Sequence, residues 1–448
     1  EENFFKNSSI SSWFSNLKLR ASYGMMGDDN LGGLYPDFAY LSGYTYYKGQ
    51  SLMPDDPFSS VKSKKVIGSA PKGIPVTTIS WMKIKLMNVG IDFGFFDNRL
   101  TGEFDLFKRM RDGIPGTPSD IMFPLETGLS ALPENMNSDM TVGFDAFVKW
   151  NDKVGDLKYS VGANITFARQ KNGKRHGEIF GNAWDKYRWA QSNRWSNVVL
   201  NTDQGNAGGV WMWEVIGRFE TQEQIDSYPV DQDGQNNATV HPGDVILRDV
   251  NGDGIINDFD ERPQAYASAD WPWDSSTSNK NPLISMGINV GFEWKGFDVA
   301  ADFAGGFKNT FVADWDLKWG VTRSVNGYYY NNIDVWRHED IFDPKSPWIP
   351  GKFPALRGQE SHSGRWWNSF YTREVNYLRL RNLVVGYSLP KNWIRKVGME
   401  QCRIYFQGTN LFCLSSLHDY GFDPEISTVN GQDYPQHKVL TLGVNVKF

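Results

Sequence analysis

The feature that most constrains this chain is a period-two alternation of apolar with small or polar residues, recurring in paired runs along its length. Val89, Ile91, Phe93 and Phe95 alternate with Asn88, Gly90, Asp92 and Gly94. Asp97-Asn98-Arg99 then supplies turn chemistry, and Leu100, Gly102, Phe104 and Leu106 return opposite Thr101, Glu103 and Asp105. Successive side chains of a strand point to opposite faces, so this pattern predicts a β-hairpin with one apolar face. A second hairpin follows from Val142, Phe144, Ala146, Val148 and Trp150, a polar turn at 151–156, and Leu157, Tyr159, Val161, Ala163, Ile165 and Phe167. A third places Ile284 to Trp294 before a Lys295-Gly296 turn and returns through 297–304. A fourth pairs 375–388 with 403–412, its phase slipping near Asn382 as at a bulge. Strands at 17–24 and 438–448 bring the expected set to about ten.

The connections alternate sharply in length. Short turns follow residues 96, 150, 294 and 388, whereas long segments fill 25–80, 112–136, 171–280, 307–370 and 413–437. A β-sandwich has no reason to gather every long loop at one end. An outer-membrane barrel does, having short periplasmic turns and long extracellular loops. A charged fraction of 22% and a mean hydropathy of -0.48 leave no run near the ~18 apolar residues that a spanning helix needs. They leave a β-barrel open, because its strands alternate lipid-facing and lumen-facing side chains. Parity then expects Phe448 on the periplasmic side. The final strand fits: Leu440, Leu442, Val444, Val446 and Phe448 form an apolar row ending on an aromatic terminus.

A formal net charge of -6 gives no general attraction to nucleic acid, and no basic run with interleaved aromatics is present. The two cysteines, Cys402 and Cys413, lie near the ends of one expected strand, too far apart to pair. The chain opens at Glu1-Glu2 without the pattern of an export signal. The expectation is therefore a cleaved signal or a fragment of a longer protein. Enzyme motifs are wanting: six histidines form no HExxH or His-Cys cluster, and no GxSxG elbow or phosphate-binding glycine loop occurs. Asp423-Pro424-Glu425 is read as loop-capping rather than as a glycosidase carboxylate pair.

The sharpest local chemistry lies in DVNGDGIINDFDE. Asp249, Asn251 and Asp253 occupy positions 1, 3 and 5 of a calcium-type loop, Gly254 position 6, Ile255 the backbone-carbonyl position 7, Asn257 position 9 and Asp260 position 12. Alternating oxygen ligands in a glycine-permitted turn suit a hard cation, although Asp stands where an EF-hand has a bidentate Glu. With no flanking helical pattern, a lone structural Ca2+ loop is expected. Aromatic residues make up 15% of the chain, and tryptophan crowds the long segments. Trp184, Trp189, Trp211, Trp213, Trp315, Trp319, Trp366 and Trp367 are the candidate substrate-binding set, since amphipathic rings stack on sugar faces or anchor a partner. Packing between loops or a place at the membrane interface is the alternative for each. The competing reading of the whole chain is a cell-surface, calcium-stabilised glycan-binding β protein.

Several strings together resemble one family: VGIDF from Val89 through Leu100 to Lys108, GDVILRDVNGDGIIND from Gly243, YLRLRNLVVGYSLP from Tyr377, GTNLF from Gly408, GFDPE from Gly421 and YPQHKVLTLGVNVKF from Tyr434. In order and spacing they are similar to the C-terminal region of SusC/RagA-type TonB-dependent outer-membrane transporters. The resemblance implies an all-β, antiparallel transmembrane β-barrel of 22 strands, of which 1–448 supplies about ten. It also implies an N-terminal plug and TonB contact lying outside this chain, and a SusD-like surface lipoprotein over the extracellular mouth. Cargo would be an oligosaccharide or peptide, imported without catalysis across the outer membrane of a Gram-negative bacterium.

Overall fold

The computed structural model describes residues 14–29, 40–48, 67–71, 74–118, 124, 131–174, 182–190, 210–265, 282–312, 334–355, 368–418, 422–425 and 436–448. Ten strands make one antiparallel sheet: β1 (Phe14–Asp28), β2 (Met82–Phe95), β3 (Leu100–Gly116), β4 (Glu134–Val154), β5 (Leu157–Asn172), β6 (Ile284–Trp294), β7 (Phe297–Val312), β8 (Thr372–Ser388), β9 (Gln401–Ser415) and β10 (Val439–Lys447). Each pairs with its sequence neighbours in an unbroken up-and-down meander. No described helix is long and apolar enough to cross a membrane.

All ten expected strands are present, and most run further than their apolar rows. β3 continues from Leu106 through Lys108-Arg109-Met110-Arg111 to Gly116, and β4 begins at Glu134. The ladder survives because its backbone bonds do not depend on side-chain polarity. Only the apolar pattern stops, which is where sequence reasoning ended these strands. The long connections are correspondingly shorter than expected, except that between β5 and β6, which keeps its expected length.

Register converts the alternation into two faces. Leu19, Ile91, Phe104, Ala146, Ile165 and Met286 stand in one rung across β1 to β6. Ile288, Phe303, Leu380 and Phe412 continue the same face across β6 to β9. This face is open to the surroundings: Leu19 is 77% exposed and Leu442 78%. From Met87 to Phe95 its apolar row runs for eight steps, about 27 Å of strand at ~3.4 Å per residue or about 21 Å of height at a barrel tilt of ~40°. That height suits the apolar band of a membrane barrel, about 25 Å tall.

The opposite face carries ion pairs between strands. Arg20 on β1 reaches Asp92 on β2 at 2.7 Å and Asp105 on β3 at 2.8 Å. Arg111 pairs with Asp139, and Arg403 with Asp298. Gly90 lies where Arg20 and Asp105 meet, and any Cβ there would stand 2.2 Å from the Asp105 carboxylate. Small residues on this face thus make room for long charged ones.

The short turns gather at one end. Lys295 and Gly296 both have positive φ, 45° and 91°, the two-residue geometry that matches strand twist. The bulge expected near Asn382 occurs as a register shift between Leu380 and Asn382. Cys402 and Cys413 are both free thiols.

Candidate functional site

The other end carries an ordered loop module, built mainly from 210–265. Its apolar residues pack inward. Phe219, Ile225, Val240 and Ile246 form one buried cluster with Tyr228 against it. Trp213, Val245 and Leu247 form another with Val215, Ile256 and Phe370. Gln232 is buried between them, accepting from Leu247 N at 2.6 Å and donating to Val245 O at 3.2 Å. Gly243 has φ +91°, and a Cβ would lie 2.3 Å from the Trp336 ring, so the chain can turn there only with glycine. The module is tied to the wall at the start of β8: Ser369 N donates to Trp213 O at 2.9 Å and Val215 N to Ser369 Oγ at 2.8 Å.

The calcium-type loop lies on this module. Short strands at Val245–Leu247 and Arg262–Ala265 flank it, with one 3₁₀ turn at Asp258–Asp260 and no flanking helix. Among the described residues, carboxylate oxygens of Asp249, Asp253 and Asp260 lie within 4.8 Å of one another. Backbone donors fix all three. Asp249 accepts from Gly252 N at 2.6 Å and Gly254 N at 2.9 Å, and fully buried Asp260 accepts from Val250 N and Asn257 N, each at 2.9 Å. Asp253 accepts from Ile255 N at 3.0 Å and from Asn251, which together hold its carboxyl below the usual carboxylate range. Asn257 caps the 3₁₀ turn through Phe259 N at 2.8 Å. A carboxylate pair of oxygens offers about four acceptor sites, so these bonds leave ligand capacity in each group. Gly252 and Gly254 have φ of +76° and +81°, which lets the backbone fold back on itself.

The tryptophans divide. Trp213 is only 5% exposed and donates Nε1–H to Asn257 O at 2.7 Å, so it braces the loop from beneath and offers no open ring face. Trp184, on the helix Ala183–Ala190, stacks on Tyr187 at 5.4 Å and meets Phe259 edge-on at 5.5 Å, with Arg262 over its ring. Trp189 shares that helix and Trp211 lies in the strand Val210–Met212, but their side chains fall outside the described set. Trp315, Trp319, Trp366 and Trp367 lie outside the described residues.

One arrangement escaped the sequence reading. Asp423 does cap its own loop, accepting from Glu425 N at 3.0 Å. It also pairs with Arg379 on β8 at 2.6 Å, while Glu425 meets Arg379 Nε at 2.8 Å and also pairs with Arg381. The segment between β9 and β10 is thereby latched to the inner face of the wall. The signal was the pair Arg379 and Arg381 on the polar face of an otherwise apolar strand.

This architecture defines a class: an antiparallel β-barrel wall with its apolar face outward and its elaborated loops at one end. Comparison with known proteins names the kind. The chain is 23% identical over 460 residues to the TonB-dependent receptor SusC of Bacteroides thetaiotaomicron, covering all of this chain and 39% of that protein. It is likewise 23% identical to the TonB-dependent receptor P3 of Formosa agariphila, covering all of this chain and 40% of that protein. The solved RagAB peptide importer in its open-open state shares the fold, with a TM-score of 0.63 at 20% identity over the whole of this chain and 41% of that one. No family model matches. The chain thus resembles SusC/RagA-type TonB-dependent receptors in sequence and fold, and spans about two fifths of the length of the relatives it matches.

Proposed function

We propose that the protein imports nutrients across the outer membrane of a Gram-negative bacterium as a TonB-dependent transporter, with this chain supplying barrel wall and the extracellular loops that face cargo. The observation that carries the proposal is the pairing of an outward apolar face about one bilayer tall with long, folded loops at one end only. In that orientation the short turns and Phe448 are periplasmic, and the loop module stands outside the cell. A SusD-like lipoprotein over the mouth, and TonB acting through a plug, belong to the same reading. Cargo is an oligosaccharide or a peptide, and no bond in it is made or broken.

Asp249, Asn251, Asp253, Asn257, Asp260 and the Ile255 carbonyl are proposed to hold one structural Ca2+, which would offset most of the charge of three converging carboxylates. The exposed aromatic surface near Trp184 is the proposed contact for cargo or lid.

The test uses the full-length receptor. Heat-modifiable migration, extraction from outer membranes only with detergent, and cargo uptake abolished by dissipating the proton-motive force are expected. A full-length protein that is soluble and monodisperse in plain buffer would overturn the membrane reading. Calorimetry on Asp249→Ala with Asp253→Ala should abolish Ca2+ binding; unchanged binding would place the ion elsewhere.

A further inference from the structure

Directly beyond the last wholly apolar outward rung, Val89, Leu106, Phe144 and Phe167, the same outward face of β2 to β5 turns basic. The next rung is Met87, Lys108, Val142 and Arg169; the one beyond it is Lys85, Met110, Met140 and Lys171. A third holds Lys83 beside Asp112. That these side chains face outward is fixed by register and by contact: Lys85 donates to Asp112 at 2.6 Å on the face opposite the Arg111 and Asp139 pair. Among the described residues, five cations and one carboxylate share this outward patch, about four strands wide or roughly 15 Å at ~4.8 Å per strand. The corresponding rungs of β8 and β9, Asn376 and Ser416 beyond Leu378 and Leu414, hold no cation.

A second observation fixes the level. The Trp81 ring lies over the outward side of Gly27, which is paired with Lys83, and Tyr23 is paired with Met87. Both rings are largely exposed at the same height as the cations. Amphipathic aromatics at this level mark the headgroup layer of a bilayer, and long cationic side chains reach from the apolar boundary into it.

We propose that this crown is a binding site for a phosphorylated lipid headgroup of the outer leaflet, with Lys108, Arg169 and Lys171 clasping the phosphate and the apolar rungs below carrying the acyl chains. The inference rests on the outer-membrane orientation proposed above. Arg and Lys on neighbouring strands match the multiple oxygens of a phosphate monoester.

The experiment takes the full-length receptor in a neutral detergent, delipidated, and follows its thermal stabilisation by a bisphosphorylated glucosamine lipid. The triple variant Lys108→Gln, Arg169→Gln, Lys171→Gln is compared with the parent. The expected result is saturable stabilisation of the parent, weakened about a hundredfold in the variant, since each of the three cations contributes about a factor of five near an anionic group. The dephosphorylated lipid should stabilise parent and variant alike and weakly. Equal affinity of parent and variant, with heat-modifiable migration intact in both, overturns the lipid site alone. Loss of heat-modifiable migration in the parent overturns the barrel reading with it. Stabilisation by inorganic phosphate equal to that by the lipid would also overturn the proposal, since the site would then be a general anion site.

Discussion

The wall and the loop module solve opposite problems with similar residues. In the wall, Leu19, Val89, Leu106 and Leu442 point away from the chain, while charged groups such as Arg20, Asp92 and Asp105 face each other across the other side. In the module, Phe219, Met212 and Leu247 are fully buried and most charged groups lie outside, while buried Asp244 and Asp260 accept backbone N–H donors. The wall is therefore held by backbone ladders and depends on its surroundings to accept its apolar face. The module carries its own core, as a water-exposed domain must. A single chain has been fitted to two solvents.

Substitutions can break or sharpen that contrast. The largest effects are expected where burial is complete. Phe219→Ala should cost the module about 3–5 kcal/mol, seen as early proteolysis between 210 and 265 while heat-modifiable migration of the wall persists. If the wall melts together with the module, the two regions are one cooperative unit. Arg379→Ala should cost a similar ~3–5 kcal/mol at the latch, because nearly buried Asp423 would lose its cation while Glu425 would keep only Arg381. Hydrogen exchange of 422–425 reports it.

Ile91→Arg, at mid-height of the outward face, should cost about 2–4 kcal/mol in lipid. A water-facing sheet would tolerate it, so equilibrium refolding into vesicles separates the two cases. Asp260→Ala removes the acceptor of Val250 N and Asn257 N and should cost the loop about 1–3 kcal/mol per buried donor left unpaired. Proteolysis at 249–260 is the measurement.

The smallest effect concerns acid. Asp233 accepts from Thr239 N, Thr239 Oγ1, Gln235 N and Asn237 N, bonds that outweigh its partial burial and hold its carboxyl at about 2. The folded value lies below the unfolded value, 3.8, so its stabilising contribution is complete above pH 4 and fades as pH falls toward 2. Asp233→Asn should flatten the module's acid limb in that window and lower its melting temperature at pH 7, where the carboxylate's contribution is complete.

The wall was legible in the sequence because one local rule, alternation, governs every strand. Its upper ends were not, since at Lys108, Arg109 and Arg111 the ladder persists after the apolar pattern has stopped. The module was illegible for a related reason. Phe219 meets Val240 in one cluster and Trp213 meets Leu247 in another, through turns and strand contacts of a few residues with no period to reveal them. The acidic loop could be read residue by residue, because its ligand-type groups are adjacent in sequence. Trp213 illustrates the limit: composition marked it as a ring for cargo, and only the fold reveals it as a brace beneath Asn257.

That brace has a mechanical consequence. Asp260 fixes Asn257 N, the Asn257 carbonyl holds the Trp213 indole, and the Trp213 carbonyl holds Ser369 at the head of β8. The acidic loop and one stave of the wall are thus coupled in series, like a handle and its shaft. A force applied to the loop from above reaches β8 through this series, the same stave that carries the Arg379 latch on its inner side.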